Sequence, residues 1–245
     1  MSTVTDPLAD PELLSTEWDL EPLVYGEGAA GVQRQLEQAT ARATAFSETY
    51  AGKLTTIDAA GLETAMRELG ELEELVGRAG SYASLRFSTD TADPERGALL
   101  QLVQERATAI ETKLLFFELE WAALDDQRAD ELLAADGLDF CRHYLRSARR
   151  YRPHLLSEPE EKILAEKSIT SQSSWGRLFG EVVAALRVQL DQDELTLDVA
   201  LSRLQSPNRG TRREAAEAVS EALKPGLRTR GFIYNTLVFD KSVED

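Results

Sequence analysis

The chain has 245 residues, enough for one large domain or two small ones around a real hydrophobic core. Its 42% hydrophobic and 29% charged residues form a globular balance, which excludes a disordered chain. Asp and Glu number 43 against 27 Lys and Arg, a formal charge of −16. That excludes a general nucleic-acid binder, which needs cations to displace phosphate counterions.

Residues 1–26 read as an extended arm, because Pro7, Pro11 and Pro22 forbid a continuous helix. The N-terminus has neither a basic start nor an apolar run, so no signal peptide is expected. From Glu27 to Tyr50, Val32, Leu36, Ala39, Ala43, Phe46 and Tyr50 step by three or four and predict a helix that Gly52 stops. Asp58 caps a second helix, with Ile57 and Leu62 as a hydrophobic staple, running to about Leu85. Asp93-Pro94 opens a third. There Val103, Ala107, Ile110, Leu114, Phe117, Trp121 and Leu124 form a heptad seam, expected to pack against the second helix as a long antiparallel hairpin.

Shorter helices are expected near 126–134, 138–150, 158–169 and 173–185, with Ser171 to Ser174 as a polar stop before Trp175. Leu186, Val188 and Leu190, then Leu195 and Leu197, alternate with polar residues around Asp191-Gln192-Asp193-Glu194. That period of two predicts a β-hairpin near 186–197. Helix resumes after Ser206-Pro207 and runs to Lys224, where Pro225-Gly226 breaks it before a last helix near 227–240. The expected fold is mainly α: a long antiparallel helical hairpin, shorter helices and one small β-hairpin. No window approaches the ~18 apolar residues of a membrane span.

Chemical motifs are sparse. Gly26-Glu27-Gly28-Ala29-Ala30-Gly31 spells G-x-G-x-x-G, but Pro22 interrupts the segment before it and helix follows helix, so a flexible helix entry is expected rather than a dinucleotide site. His143 and His154 stand eleven residues apart and no H-E-x-x-H occurs, which argues against a zinc site. Cys141, the only cysteine, permits no internal disulfide and lies two residues from His143, on a different helical face; a small buried thiol is expected. A lone cysteine fits a reducing compartment, and a cytoplasmic protein is expected.

Arg142, Arg146, Arg149, Arg150 and Arg152 form a basic cluster that could hold a carboxylate, though ion pairing with glutamates of neighbouring helices is the stronger expectation. The 191–194 tetrapeptide begins like a calcium loop but lacks its glycine and terminal glutamate, and reads as a turn. Ser157-Glu158-Pro159-Glu160 is a capping box, which explains a helix start and no function. No residue is assigned a catalytic, cofactor-binding or metal-binding role.

Several segments, in order, resemble the N-terminal part of the oligoendopeptidase F family of zinc metallopeptidases, relatives of the thimet oligopeptidases. They are WDLEPLVYG at 18–26, LLFFELEWAAL at 114–124, HLLSEPEEKILAEKSITSQSSWGRLFGEV at 154–182, the hairpin segment at 186–219 and LKPGLRTRGFIYNTLVFDK at 223–241. The resemblance implies a cytoplasmic hydrolase that cuts short peptides inside an enclosed helical channel. Zinc would be held by two histidines of an H-E-x-x-H helix and a later glutamate, the intervening glutamate acting as general base.

None of those residues falls on a position of this chain. On this reading 27–205 is an accessory helical region with the hairpin, and 206–245 begins a peptidase domain that is truncated. The chain is then expected to bind no zinc itself, to lack peptidase activity, and to expose Phe232, Ile233, Tyr234, Leu237, Val238 and Phe239. Short peptides would be the parent enzyme's partners, with no nucleic acid and no membrane. The alternative is a non-enzymatic acidic helical interaction module.

Overall fold

A computed structural model describes residues 18–244; the prolines at 7 and 11 lie outside this range. The arm expected over 1–26 is not extended in its described part. Glu21–Val24 is a 3-10 turn whose Val24 is fully buried. Pro22 has its fixed φ inside the first turn, where a missing N–H leaves nothing unpaired. One carbonyl of the turn, Leu23 O, accepts from both Gln35 Nε2 and Arg78 Nε, at 2.8 and 3.1 Å.

Three long helices carry the core: α1 (Gly28–Tyr50), α2 (Ala59–Thr89) and α3 (Pro94–Ala123). The α2–α3 hairpin forms as expected, α2 reaching four residues further than expected, and its 30 and 31 residues make rods of roughly 45 Å. Helix α1 lies against both, so the hairpin is two sides of a three-helix bundle. Asp58 and Asp93 cap α2 and α3 through Gly61 N and Glu95 N, each at 2.8 Å.

Every residue of the α3 seam except Ala107 is buried. Phe116 and Ala122, off the seam, are buried too, because α3 is covered on more than one side. Phe46 of α1 packs near Phe116 and Phe117 at ring separations of 6.0 and 5.7 Å. Glu120 ties the α1–α2 connection to α3 by accepting from Gly52 N and Leu54 N.

Helices α4 (Asp126–Leu133), α5 (Arg142–Arg150) and α6 (Glu158–Ser168) follow, α5 and α6 both touching α3. Helix α7 (Gln172–Ala184) starts three residues before Trp175, so only Ile169–Ser171 separates it from α6. Ser173 and Ser174 therefore belong to the first turn of α7, and Ser174 Oγ donates back to Ile169 O at 2.6 Å.

Strands β1 (Arg187–Leu190) and β2 (Asp193–Thr196) pair antiparallel with Leu190 opposite Asp193. The turn is thus Asp191-Gln192 alone, and Asp193 and Glu194 are strand residues; the sequence overestimated the turn because Asp193 and Glu194 are polar and exposed. Asp191 takes a left-handed φ of 56°, which Asp tolerates without glycine. A further helix, α8 (Leu197–Ser202), was not expected. Helix α9 (Arg209–Leu223) is capped by Asn208, whose side chain accepts from Gly210 N at 2.8 Å, rather than by Ser206-Pro207.

Val188, Ala200 and Val219 form a small core of their own from β1, α8 and α9. The boundary expected at 206 runs through this cluster. Helix α10 (Leu227–Glu244) packs on α7, with Trp175 and Phe232 edge to face at 5.9 Å. No helix among the described residues is long and apolar enough to cross a membrane.

Candidate functional site

The glycine motif is a structural joint. Tyr25 and Gly26 turn the chain through left-handed φ values of 57° and 76°, and Gly31 lets the 3-10 turn press on α1. Gly28 N, which would face a phosphate in a dinucleotide fold, donates instead to Glu21 Oε2 at 3.1 Å. The only sheet among the described residues is the two-stranded antiparallel hairpin, so a parallel strand for a dinucleotide fold is not at hand.

His143 and Cys141 do not meet as a base and a nucleophile. Cys141 is buried, its thiol directed to Leu138 O at 3.5 Å, and burial pushes its pKa up. His143 is exposed and reaches only Ser147 Oγ, 3.5 Å away, while His154 sits in the exposed 3-10 turn Arg152–His154. Among the described residues, no group of three or more His, Cys, Asp or Glu side chains is placed to hold a metal ion.

The arginine cluster is largely structural, and its partners differ from the glutamates expected. Arg142 donates to Leu133 O at 2.7 Å and Ala135 O at 3.1 Å and pairs with Asp139. Arg149 donates to Trp121 O and Leu124 O at 2.7 and 2.8 Å, satisfying the orphan carbonyls at the end of α3. Asp126 pairs with both Arg149 and Arg152. Backbone carbonyls and aspartates won because α5 crosses the ends of α3 and α4, where such acceptors collect. Arg146 and Arg150 remain exposed on α5.

The capping box forms: Glu160 Oε2 accepts from Ser157 N at 3.0 Å and Ser157 Oγ at 2.6 Å. Glu161 Oε1 adds Leu156 N at 2.9 Å. The Ser157 hydroxyl, then its N–H, hold the Glu160 carboxyl below the usual range.

One grouping was not read from the sequence. Glu73 of α2, Glu111 and Glu118 of α3 and Tyr144 of α5 line a cavity of about 310 Å³ that Ala165 of α6 also borders. Burial, then Glu111 and Glu118, push the Glu73 carboxyl up. Burial, then Glu118 and Glu73, do the same for the Tyr144 hydroxyl. By surface Glu73 is exposed, so its protons exchange with water and the perturbation reflects the neighbouring charges facing one groove. Such a groove favours cations and amines over anions, but offers no nucleophile. Glu111 and Glu118 stand seven residues apart on α3, but Glu73 comes 38 positions before Glu111 and Tyr144 comes 26 after Glu118, so no spacing rule joins the group.

Residues 120–187 match the family model described as Oligopeptidase F. Oligopeptidase PepF of Bacillus subtilis (strain 168) is 26% identical over 177 residues, which is 69% of this chain and 26% of that protein. The crystal structure of oligoendopeptidase-F from Enterococcus faecium aligns with a TM-score of 0.73 at 18% identity, over 87% of this chain and 43% of that one. The structural likeness speaks to the fold, and the chain spans about a quarter of the length of the curated relative it matches. The family match falls on the capping box and the Trp175 helix, the segment that carried the resemblance in the sequence. Sequence, relative and fold agree: this chain is similar to the N-terminal portion of the oligoendopeptidase F family.

Proposed function

We propose that this chain is the helical accessory part of a zinc-dependent oligoendopeptidase that hydrolyses short peptides, with its bundle walling a substrate channel in the cytoplasm. The observation that carries the reading is the 177-residue similarity to Oligopeptidase PepF, together with the Oligopeptidase F match over residues 120–187. The rods α2 and α3 would exclude folded proteins by their bulk, and residues 206–245 would open the peptidase domain.

The residues present do not fit zinc. Both histidines are exposed and lie on separate elements, the thiol is buried, and no H-E-x-x-H occurs in the sequence. No catalytic step is therefore derived on this chain, and the 245 residues by themselves are expected to be inactive.

A supporting feature is the apolar surface of the C-terminal helices. Leu178 and Phe179 of α7 and Phe232, Val238, Phe239 and Val243 of α10 are all at least 40% exposed. A patch of this kind is what a lobe presents to the rest of a larger enzyme. Ile233, expected in that patch, is instead buried inside it. Purified 1–245 incubated with short peptides of mixed length and added zinc tests the assignment of catalysis elsewhere. No cleavage is expected, and robust zinc-dependent cleavage would overturn it. An extended gene product that carries H-E-x-x-H and cleaves those peptides supports the peptidase reading; one without peptidase activity favours the interaction module.

A further inference from the structure

A cleft of about 790 Å³ lies where residues 18–21 face the end of α2 and the start of α3. That volume is in the range of small-molecule pockets. Its polar groups fall into two sets. One set is committed to the fold. Glu21 accepts from Tyr82 Oη at 2.8 Å through one oxygen and from Gly28 N at 3.1 Å through the other. Ser88 and Thr89 hydroxyls donate to Leu85 O and Arg86 O, both at 2.8 Å. Arg96 Nη1 donates to Arg86 O at 3.0 Å and Thr89 Oγ1 at 2.6 Å, and its Nε lies 3.1 Å from Asp93 Oδ2.

Arg86 stands apart. Its Nη1 donates to Tyr82 Oη at 2.8 Å, and no carboxylate among the described residues lies within ion-pair distance of it. The guanidinium thus keeps donors facing a cleft in which it is held by the Glu21–Tyr82 chain. Trp18, 82% exposed, and Leu85, 38% exposed, also line the cleft, so part of its wall is apolar, while the Arg86 guanidinium itself lies over the Tyr82 ring at 5.4 Å.

We propose that this cleft binds a small organic monocarboxylate carrying a flat apolar group, with Arg86 as the anchor and Trp18 as the platform. A guanidinium fork matches a carboxylate through two parallel hydrogen bonds, and an indole face takes a planar apolar body with little loss of entropy. Asp19 and Glu21 on the same wall would repel a second negative charge, which selects a monoanion over a phosphate dianion. None of the site's residues lies within the matched stretch 120–187, while Trp18 to Glu21 belong to the WDLEPLVYG segment that carries the family resemblance.

Calorimetry on the full chain with N-acetylphenylalanine and with its uncharged amide tests this. The acid is expected to bind saturably with a Kd at or below about 1 mM, and the amide at least tenfold more weakly. Arg86→Gln should weaken the acid at least tenfold with an unchanged circular-dichroism spectrum and melting temperature, and Arg86→Lys should recover part of the loss. On addition of the acid, the indole N–H resonance of Trp18 should shift. Equal affinity for acid and amide, full affinity in folded Arg86→Gln, or no saturable binding would each overturn the proposal.

Discussion

Gly31→Ala should destabilise this chain although it replaces glycine by the best helix former inside a helix. An alanine methyl there would lie 2.4 Å from Val24 O and 2.9 Å from Val24 Cβ, where ordinary contact starts at 3.4 Å. The 3-10 turn would have to retreat by about 1 Å, the gap between 3.4 and 2.4 Å. It has little freedom to do so, because Val24 is fully buried and Leu23 O is held by both Gln35 and Arg78.

Overpacking costs about 1–3 kcal/mol, and a backbone obstacle belongs at the upper end of that range. Alanine returns about 1 kcal/mol of helix propensity. The net loss is about 1–2 kcal/mol, a fall of roughly 3–6 °C in Tm for a chain this size. Gly77→Ala in α2 is the matched control: a methyl there meets nothing within 4 Å, so it should stabilise by up to about 1 kcal/mol. Urea and thermal melts followed by circular dichroism measure both. A Gly31→Ala chain as stable as the parent would refute the claim that the turn is clamped onto α1.

Three further outcomes are expected. Trp121→Phe removes the Nε1–H donated to Leu145 O at 2.9 Å in a fully enclosed site and should lower stability by about 1–3 kcal/mol in urea titration. Glu160 has a depressed folded pKa, so its contribution to α6 is present above the unfolded carboxyl range and fades as pH falls through the folded value. Glu160→Gln should therefore speed amide exchange at the start of α6 at pH 7 and change it little in strong acid; equal effects at both would contradict the capping role. Glu73 has a raised pKa, so its charge is a penalty that is fully present above the folded value and relieved as pH falls. Glu73→Gln should raise Tm at pH 8 and lose that advantage near pH 4, whereas a pH-independent gain would point to packing instead.

Local rules made much of the fold legible. The Asp58 and Asp93-Pro94 starts, the capping box at Ser157, the Pro225-Gly226 break and the α3 seam each follow from a few neighbouring residues, because caps and helical periodicity are short-range. The failures occurred where a distant partner decided the local structure. Residues 18–26 fold into a turn because Val24 finds a pocket on α1 and because Gln35 and Arg78 supply donors. Arg149 passed from expected glutamates to carbonyls of α3 because α5 crosses the end of that rod.

The amino-acid order by itself determined a mainly helical chain with one small hairpin, an acidic surface and the resemblance to the oligoendopeptidase F family. Tertiary structure decided that the hairpin of long helices becomes a bundle of three, that Glu73, Glu111, Glu118 and Tyr144 share a groove, and that Arg86 is left facing a cleft. Periodicity reports which face of a helix is apolar, but not which helix will cover it. Pairing of charges depends on distances between elements far apart in the chain, and those exist only after the core has packed.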